Sequence, residues 1–155
     1  MFVKAASGRQ RYNVPGAFNA VTHDLICVTN DTYVTATTVC ELLHKLAARG
    51  LGIPITLVMD NARHQRCHLV RDLARTLGIE LLFLPSYSPN LNLIERLWKF
   101  VKKTVLNSRH QGSFTEFRQA IDQCLNQLPT THHPAMQTLM TPKFQTFENV
   151  SMLGG

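Results

Sequence analysis

The sequence has no apolar run approaching the roughly 18 residues of a membrane-spanning helix; its longest stretches are pieces such as Leu81-Leu82-Phe83-Leu84. Nor does it open on a leader peptide: Met1-Phe2-Val3-Lys4-Ala5 carries neither a basic n-region nor a long apolar h-region. A soluble, cytoplasmic chain with no membrane partner is therefore expected. Cys27, Cys40, Cys67 and Cys124 form no Cys-x-x-Cys pair, which excludes a zinc ribbon or a dithiol redox motif and predicts buried, reduced thiols. Acidic residues are scarce: 10 Asp and Glu stand against 16 Lys and Arg, a net charge of +6 that suits a polyanionic partner. No internal repeat and no interdomain linker is visible. With 155 residues, 45% of them hydrophobic, the chain can bury one real core and is not a disordered polymer. One domain is expected over 1–150, with a short tail at 151–155.

Within that frame, Tyr12 to Thr29 reads as a β-hairpin, with β-prone runs at Val14 to Ala20 and Leu25 to Thr29 around a Thr22-His23-Asp24 turn. Pro15 would cost a ladder hydrogen bond and marks a strand start or edge. Thr38 and Glu41 suit a capping box for a helix whose stripe is Val39, Leu42, Leu43 and Leu46, ending at Gly50. Ile55 to Asp60 is an apolar run of the kind found in strands buried on both faces. A helix from about Arg63 to Leu77, with Leu69, Val70, Leu73, Ala74 and Leu77 inward, leads to a second apolar strand at Ile79 to Leu84. The stiff loop Pro85-Ser86-Tyr87-Ser88-Pro89 precedes a helix from about Asn92 to Leu106. Ser113 and Glu116 open a last helix with Phe114, Phe117, Ile121, Cys124, Leu125 and Leu128 on one face. From Pro129 onward the chain shows little periodicity.

Strand, helix and strand between Ile55 and Leu84 make a βαβ unit, so the two strands should be parallel with their carboxyl ends at one edge. Asp60 closes the first strand, and Glu95 lies in the first turn of the helix that begins beyond the second. The 34 residues between them run out along a helix and back along a strand, so the two carboxylates can converge where open α/β sheets place their sites. Such a pair can hold a hard divalent ion, and Mg²⁺ so held keeps positions for water and phosphate oxygens. The other reading is structural: Asp60 caps the following helix and Glu95 favours the positive end of its own. On that helix Ile94, Leu97, Trp98, Val101 and Val105 make an apolar stripe. Arg96, Lys99, Lys102 and Lys103 project elsewhere, and Lys99 and Lys102 share the side of Glu95. A carboxylate beside a basic strip suits a phosphate backbone, although a solvated amphipathic helix would look the same. His64 and His68, at i and i+4, could bind zinc. No H-E-x-x-H glutamate accompanies them, and a basic surface shared with Arg63, Arg66, Arg71 and Arg75 is the stronger reading.

Two segments carry a family resemblance: Val58-Met59-Asp60-Asn61-Ala62-Arg63, and Leu84-Pro85-Ser86-Tyr87-Ser88-Pro89-Asn90-Leu91-Asn92-Leu93-Ile94-Glu95-Arg96-Leu97-Trp98-Lys99. Together they resemble the catalytic domain of DDE transposases, in the bacterial insertion-sequence branch of the mariner superfamily. That group's second and third acids are an Asp and a Glu with this spacing. Gly8 to Val14, Thr29 to Tyr33 and Leu139 to Phe147 also look like this branch, so the likeness covers nearly the whole chain. It implies a ribonuclease H-like α/β fold, a mixed sheet with flanking helices. It implies DNA strand cleavage and transfer with Mg²⁺ or Mn²⁺, two ions in the intact site, Asp60 and Glu95 as metal ligands, and transposon-end and target DNA as partners, with a homo-oligomer as a further expectation. Arg63, Arg96, Lys99, Lys102 and Lys103 are the candidate DNA contacts.

The match has a gap. The family's first acid lies on a strand upstream of the segment matching Gly8 to Val14, where this sequence has seven residues and none is acidic; Asp24 and Asp31 do not correspond to it. An N-terminally truncated domain of impaired activity is therefore expected. Its first, central strand would be missing, and its hairpin displaced, disordered or paired directly with strand 55–60. The alternative is a non-catalytic DNA-binding or dimerisation remnant, for which the basic helices would suffice.

Overall fold

The computed structural model describes residues 2–4, 11–60, 62–63, 65–85, 93–107 and 113–140. Strands β1 (Phe2–Lys4) and β2 (Arg11–Asn13) pair antiparallel, as do β3 (Gly16–Phe18) and β4 (Leu25–Cys27). Residues 11–19 act as one long strand in a single register against residues 24–30. Asn13 and Asn30 exchange both backbone bonds (2.8 and 3.1 Å), the Val28 N–H donates to the Pro15 carbonyl (3.0 Å), and the Asn19 N–H donates to the Asp24 carbonyl (2.9 Å). Pro15 has no N–H to return, which splits the strand into β2 and β3. The turn is organised by Asn19, whose Oδ1 accepts from the Val21 and Thr22 N–H groups, and His23 takes the left-handed conformation (φ 63°).

Helix α1 (Ala36–Ala48) starts a turn earlier than the Thr38/Glu41 pattern suggests. Thr35 is its N-cap, and the Thr35 N–H donates to Thr38 Oγ1 at 3.2 Å. Its expected stripe of Val39, Leu42, Leu43 and Leu46 is buried. Strands β5 (Ile55–Met59) and β6 (Ile79–Phe83) pair in parallel, joined by α2 (His68–Leu77), which Gly78 ends in the left-handed region at φ 71°. Helices α3 (Leu93–Asn107), α4 (Phe114–Asn126) and α5 (His133–Leu139) follow. The Glu116 N–H donates to Ser113 Oγ, as the capping box predicts.

Three expectations are corrected. First, α2 begins at His68 rather than Arg63, because residues 62–66 close a turn in which the Gln65 and Arg66 N–H groups donate to the Ala62 carbonyl; Leu69 is consequently 57% exposed. Second, among the described residues β5 and β6 are covered on one face only. Ile55, Leu57 and Met59 pack toward α1 and α2, while the cross-strand pair Val58 and Leu82 stays 42% and 51% exposed. Third, the aperiodic end contains α5, which has Pro134 in its first turn and is anchored by the single buried residue Met136.

The hairpin stands between two cores because its side chains alternate. Phe18, Leu25 and Cys27 pack with Leu97, Trp98, Val101 and Val105 of α3 and with Phe117, Ile121 and Met136 beyond. Ala17, Ile26 and Val28 turn the other way, onto Leu42 of α1 and Leu57 of β5, and Ile26 continues into the core of α1, α2, β5 and β6. Among the described residues the hairpin and the β5–β6 pair are separate sheets with no hydrogen bond between them. The hairpin is thus ordered but not paired with strand 55–60.

Gly16 is where the hairpin and α3 meet most closely: a Cβ there would stand 3.0 and 3.1 Å from the Trp98 ring and 3.2 Å from Leu25 Cδ1. Gly16→Ala should therefore destabilise the protein by about 1–3 kcal/mol through overpacking. Chemical denaturation would check this, and an unchanged midpoint would contradict the packing described.

Candidate active site

The carboxyl edge of the β5–β6 pair is well defined. Met59 lies opposite Phe83, and the Leu84 N–H donates to the Met59 carbonyl at 2.8 Å, so pairing runs to the last residue before Asp60. Asp60 is exposed, one residue past the strand. It belongs to the face of β5 that carries Thr56 and Val58, away from α1 and α2. Glu95 is half-buried in the first turn of α3, where Leu93 and Ile94 pack on the α3–α4 core. The position of α3 is set by Trp98 against Gly16 and by Leu97 and Val101 beneath it. The two acids thus come from opposite sides of the hairpin: Asp60 from the layer packed on α1, Glu95 from the helix packed on the other face.

Lys99, Lys102 and Lys103 are exposed on α3, with Lys99 and Lys102 one and two turns along from Glu95. Arg96 is half-buried instead, and its Nη1 donates to the Leu139 carbonyl at 3.4 Å, tying α3 to the end of α5. Arg63 is exposed on the turn that follows Asp60 rather than on a helix. His64 lies outside the described residues, as does the loop 86–92. Among the described residues no three of His, Cys, Asp and Glu gather to form a metal site.

One basic group gains a role that spacing does not reveal. The Arg71 guanidinium lies 5.4 Å from the centroid of the Phe83 ring, at the carboxyl end of β6. This contact places a fixed cation beside the edge that carries Asp60. Arg75 is instead turned toward Asp72, 3.9 Å away, an exposed pair of little energetic weight. Nothing in the sequence links Arg71 to a phenylalanine twelve positions on; only the helix-to-strand packing does.

The sequence model of the DDE superfamily endonucleases matches residues 2–118, which include both acids and the basic face of α3. The chain belongs to this family. No curated protein matches it. Among solved structures, the catalytic domain of Mos1 mariner transposase is similar at 15% identity and a TM-score of 0.58, over 91% of this chain and 79% of that one. A second structure of that domain, with raltegravir and Mg, gives a TM-score of 0.65 over 91% and 81%. The catalytic core of BIV integrase matches at 17% identity and a TM-score of 0.55, over 84% and 81%. A chain of the simian T-cell lymphotropic virus intasome, in complex with the PP2A regulatory subunit B56 gamma, matches at 16% identity and a TM-score of 0.58. That match covers 78% of this chain but only 44% of the viral one. At these identities the likeness establishes the fold, which is ribonuclease H-like: small sheets flanked by helices. Among the described residues of this DDE-family chain, no helix is long and apolar enough to cross a membrane.

None of the four cysteines of this DDE-family domain forms a disulfide, and burial pushes the Cys27 thiol up to about 11 and raises those of Cys40 and Cys124. A thiol pKa raised by folding contributes stability that is complete below the unfolded value near 9 and is lost as pH climbs through the folded value. Thermal unfolding followed from about pH 8.5 to 11 should therefore show a falling midpoint, with a shallower fall in Cys27→Ala. An identical slope in the two proteins would contradict the burial of this thiol.

Proposed function

We propose that this chain is the catalytic part of a transposase that cleaves and transfers DNA strands with Mg²⁺ or Mn²⁺. Asp60 and Glu95 are the metal ligands, and two ions serve the complete acid set. The observation that carries the reading is the end of the parallel β5–β6 pair at Asp60, with a family match that spans this edge and α3 together. The donor set fits: two carboxylates, one exposed and one half-buried, are hard oxygen ligands that leave positions for water and phosphate. Divalent ions held there supply activation of the attacking water or hydroxyl and stabilisation of the leaving oxygen. Lys99, Lys102 and Lys103 then hold the phosphate backbone along α3, with Arg63 on the turn beyond Asp60 and Arg96 braced against α5.

A second reading is a non-catalytic DNA-binding or dimerisation remnant from the bacterial insertion-sequence branch, for which the exposed lysines of α3 suffice. Supercoiled-plasmid nicking in Mg²⁺ and in Mn²⁺ separates the two. The catalytic reading expects metal-dependent nicking that Asp60→Asn and Glu95→Gln each abolish, with DNA affinity retained. Metal-independent binding without nicking, unchanged by either substitution, would leave only the binding module. In both cases, replacing Lys99, Lys102 and Lys103 by Ala should flatten the plot of log affinity against log salt by about 0.9 for each phosphate that is no longer neutralised. A slope equal to that of the parent protein would remove α3 from the DNA interface.

A further inference from the structure

Two cysteines that lie far apart in the chain meet in the fold. Helix α1 leads through residues 49–54 into the start of β5, and α2 leads through Gly78 into the start of β6. Both helices pack on the β5–β6 pair through one core, so both run back along the strands and begin toward the carboxyl edge. Cys40 is the fifth residue of α1, and Cys67 is the N-cap of α2. Each packs on the core that contains Val39, Leu43, Met59 and Val70, and each is half-buried rather than sealed inside it. Burial raises the Cys40 thiol, and the charge of Cys67 raises it further, so the two sulfurs are near enough to interact. Cys27 and Cys124 belong to the other core, with α3 and α4.

We propose that Cys40 and Cys67 form a reversible modification site, a thiol pair that a small disulfide such as oxidised glutathione converts into a covalent bridge between α1 and α2. One thiolate attacks a sulfur of glutathione disulfide, forming a mixed disulfide and releasing the first glutathione. The other thiolate then attacks the protein sulfur of that mixed disulfide and expels the second glutathione. The protein gives up two thiol protons and two electrons, and one glutathione disulfide becomes two glutathione thiols. A bridge needs Cα atoms within about 7 Å, which facing positions of helices packed about 8–10 Å apart supply. The side chain of Cys40 leans toward the start of α1, the end at which α2 also begins. Cys67 has an extended backbone (φ −69°, ψ 160°), so no helical turn precedes it to confine its rotamer. The bond would close a ring that contains β5, Asp60 and the turn at 62–66. Met59 is already fixed by its pairing with Phe83, so the segment from Asp60 to Arg66 would then be held at both ends. This pair needs neither metal nor DNA and stands apart from the catalytic reading.

Equilibration of the reduced full chain with glutathione redox buffers tests this, read by intact mass and by peptide mapping without reductant. The expected product has lost two hydrogens and yields a linked pair of peptides containing Cys40 and Cys67. Cys40→Ser and Cys67→Ser should each stop at a glutathione adduct on the remaining member of the pair. The glutathione ratio at half-oxidation gives the effective concentration of one thiol at the other, which should be about tenfold or more higher in the folded chain than in guanidinium. On oxidation, amide exchange at Gln65 and Arg66 should slow by about threefold or more and recover on reduction. Stable glutathione adducts on both Cys40 and Cys67 of the parent protein would overturn the proposal, as would a bridge formed through Cys27 or Cys124. An effective concentration no higher in the folded chain than in guanidinium would do the same, since the two sulfurs would then meet only by unfolding. Exchange at Gln65 and Arg66 that ignores a bridge once formed would remove its hold on the turn beyond Asp60.

Discussion

Whatever positions Glu95 relative to Asp60 passes through one hairpin. Its side chains alternate across the strand plane, so one face takes Trp98 and its neighbours on α3 and the other takes Leu42 and Leu57. A one-residue slip would exchange the two faces and put Phe18 and Leu25 against α1. The register is held by the paired backbone bonds of Asn13 and Asn30, by Asn19 in the turn, and by the side-chain bond from Asn13 Nδ2 to Asn30 Oδ1 at 3.0 Å. Tyr12, fully buried, adds a cross-link, donating from its hydroxyl to Asp122 of α4 at 2.6 Å. Short as it is, the hairpin is the common reference for both cores.

The same arrangement explains the uneven burial of β5 and β6. Among the described residues helices cover this parallel pair on one side, which keeps apolar residues at Val58 and Leu82 in contact with solvent, next to the edge where Asp60 emerges. Arg71, held over Phe83, puts positive charge at that edge on the α2 side, and Lys99, Lys102 and Lys103 are exposed along α3.

Much of this was legible in the sequence, and the failures have physical causes. The helical stripes of α1, α3 and α4 and the parallel strands around Asp60 follow from periodicity, since the period that packs a helix is also the one that writes its pattern. The inward placement of Leu69 failed because the Gln65 and Arg66 N–H groups turn back onto the Ala62 carbonyl, a choice decided by local backbone bonds and not by hydrophobicity. Burial of β5 on both faces failed because an apolar strand does not reveal whether a covering layer exists. Helix α5 escaped notice because it is seven residues long and owes its position to Met136 and to the Arg96 bond at its end. For the site, chain order and family likeness pointed to Asp60 and Glu95, whereas the Arg71–Phe83 contact is a product of tertiary packing alone.

The proposed function requires the carboxylates of Asp60 and Glu95 to hold one divalent ion between them, each presented by a different core. Paramagnetic broadening by Mn²⁺ tests this most directly, because it reports distance from the ion without requiring turnover. Titrated into the ¹⁵N-labelled protein, Mn²⁺ should broaden the amides flanking Asp60 and those of the first turn of α3 together, with one midpoint, and Asp60→Asn should weaken both. Broadening at only one of the two segments, or with two unrelated midpoints, would contradict the account.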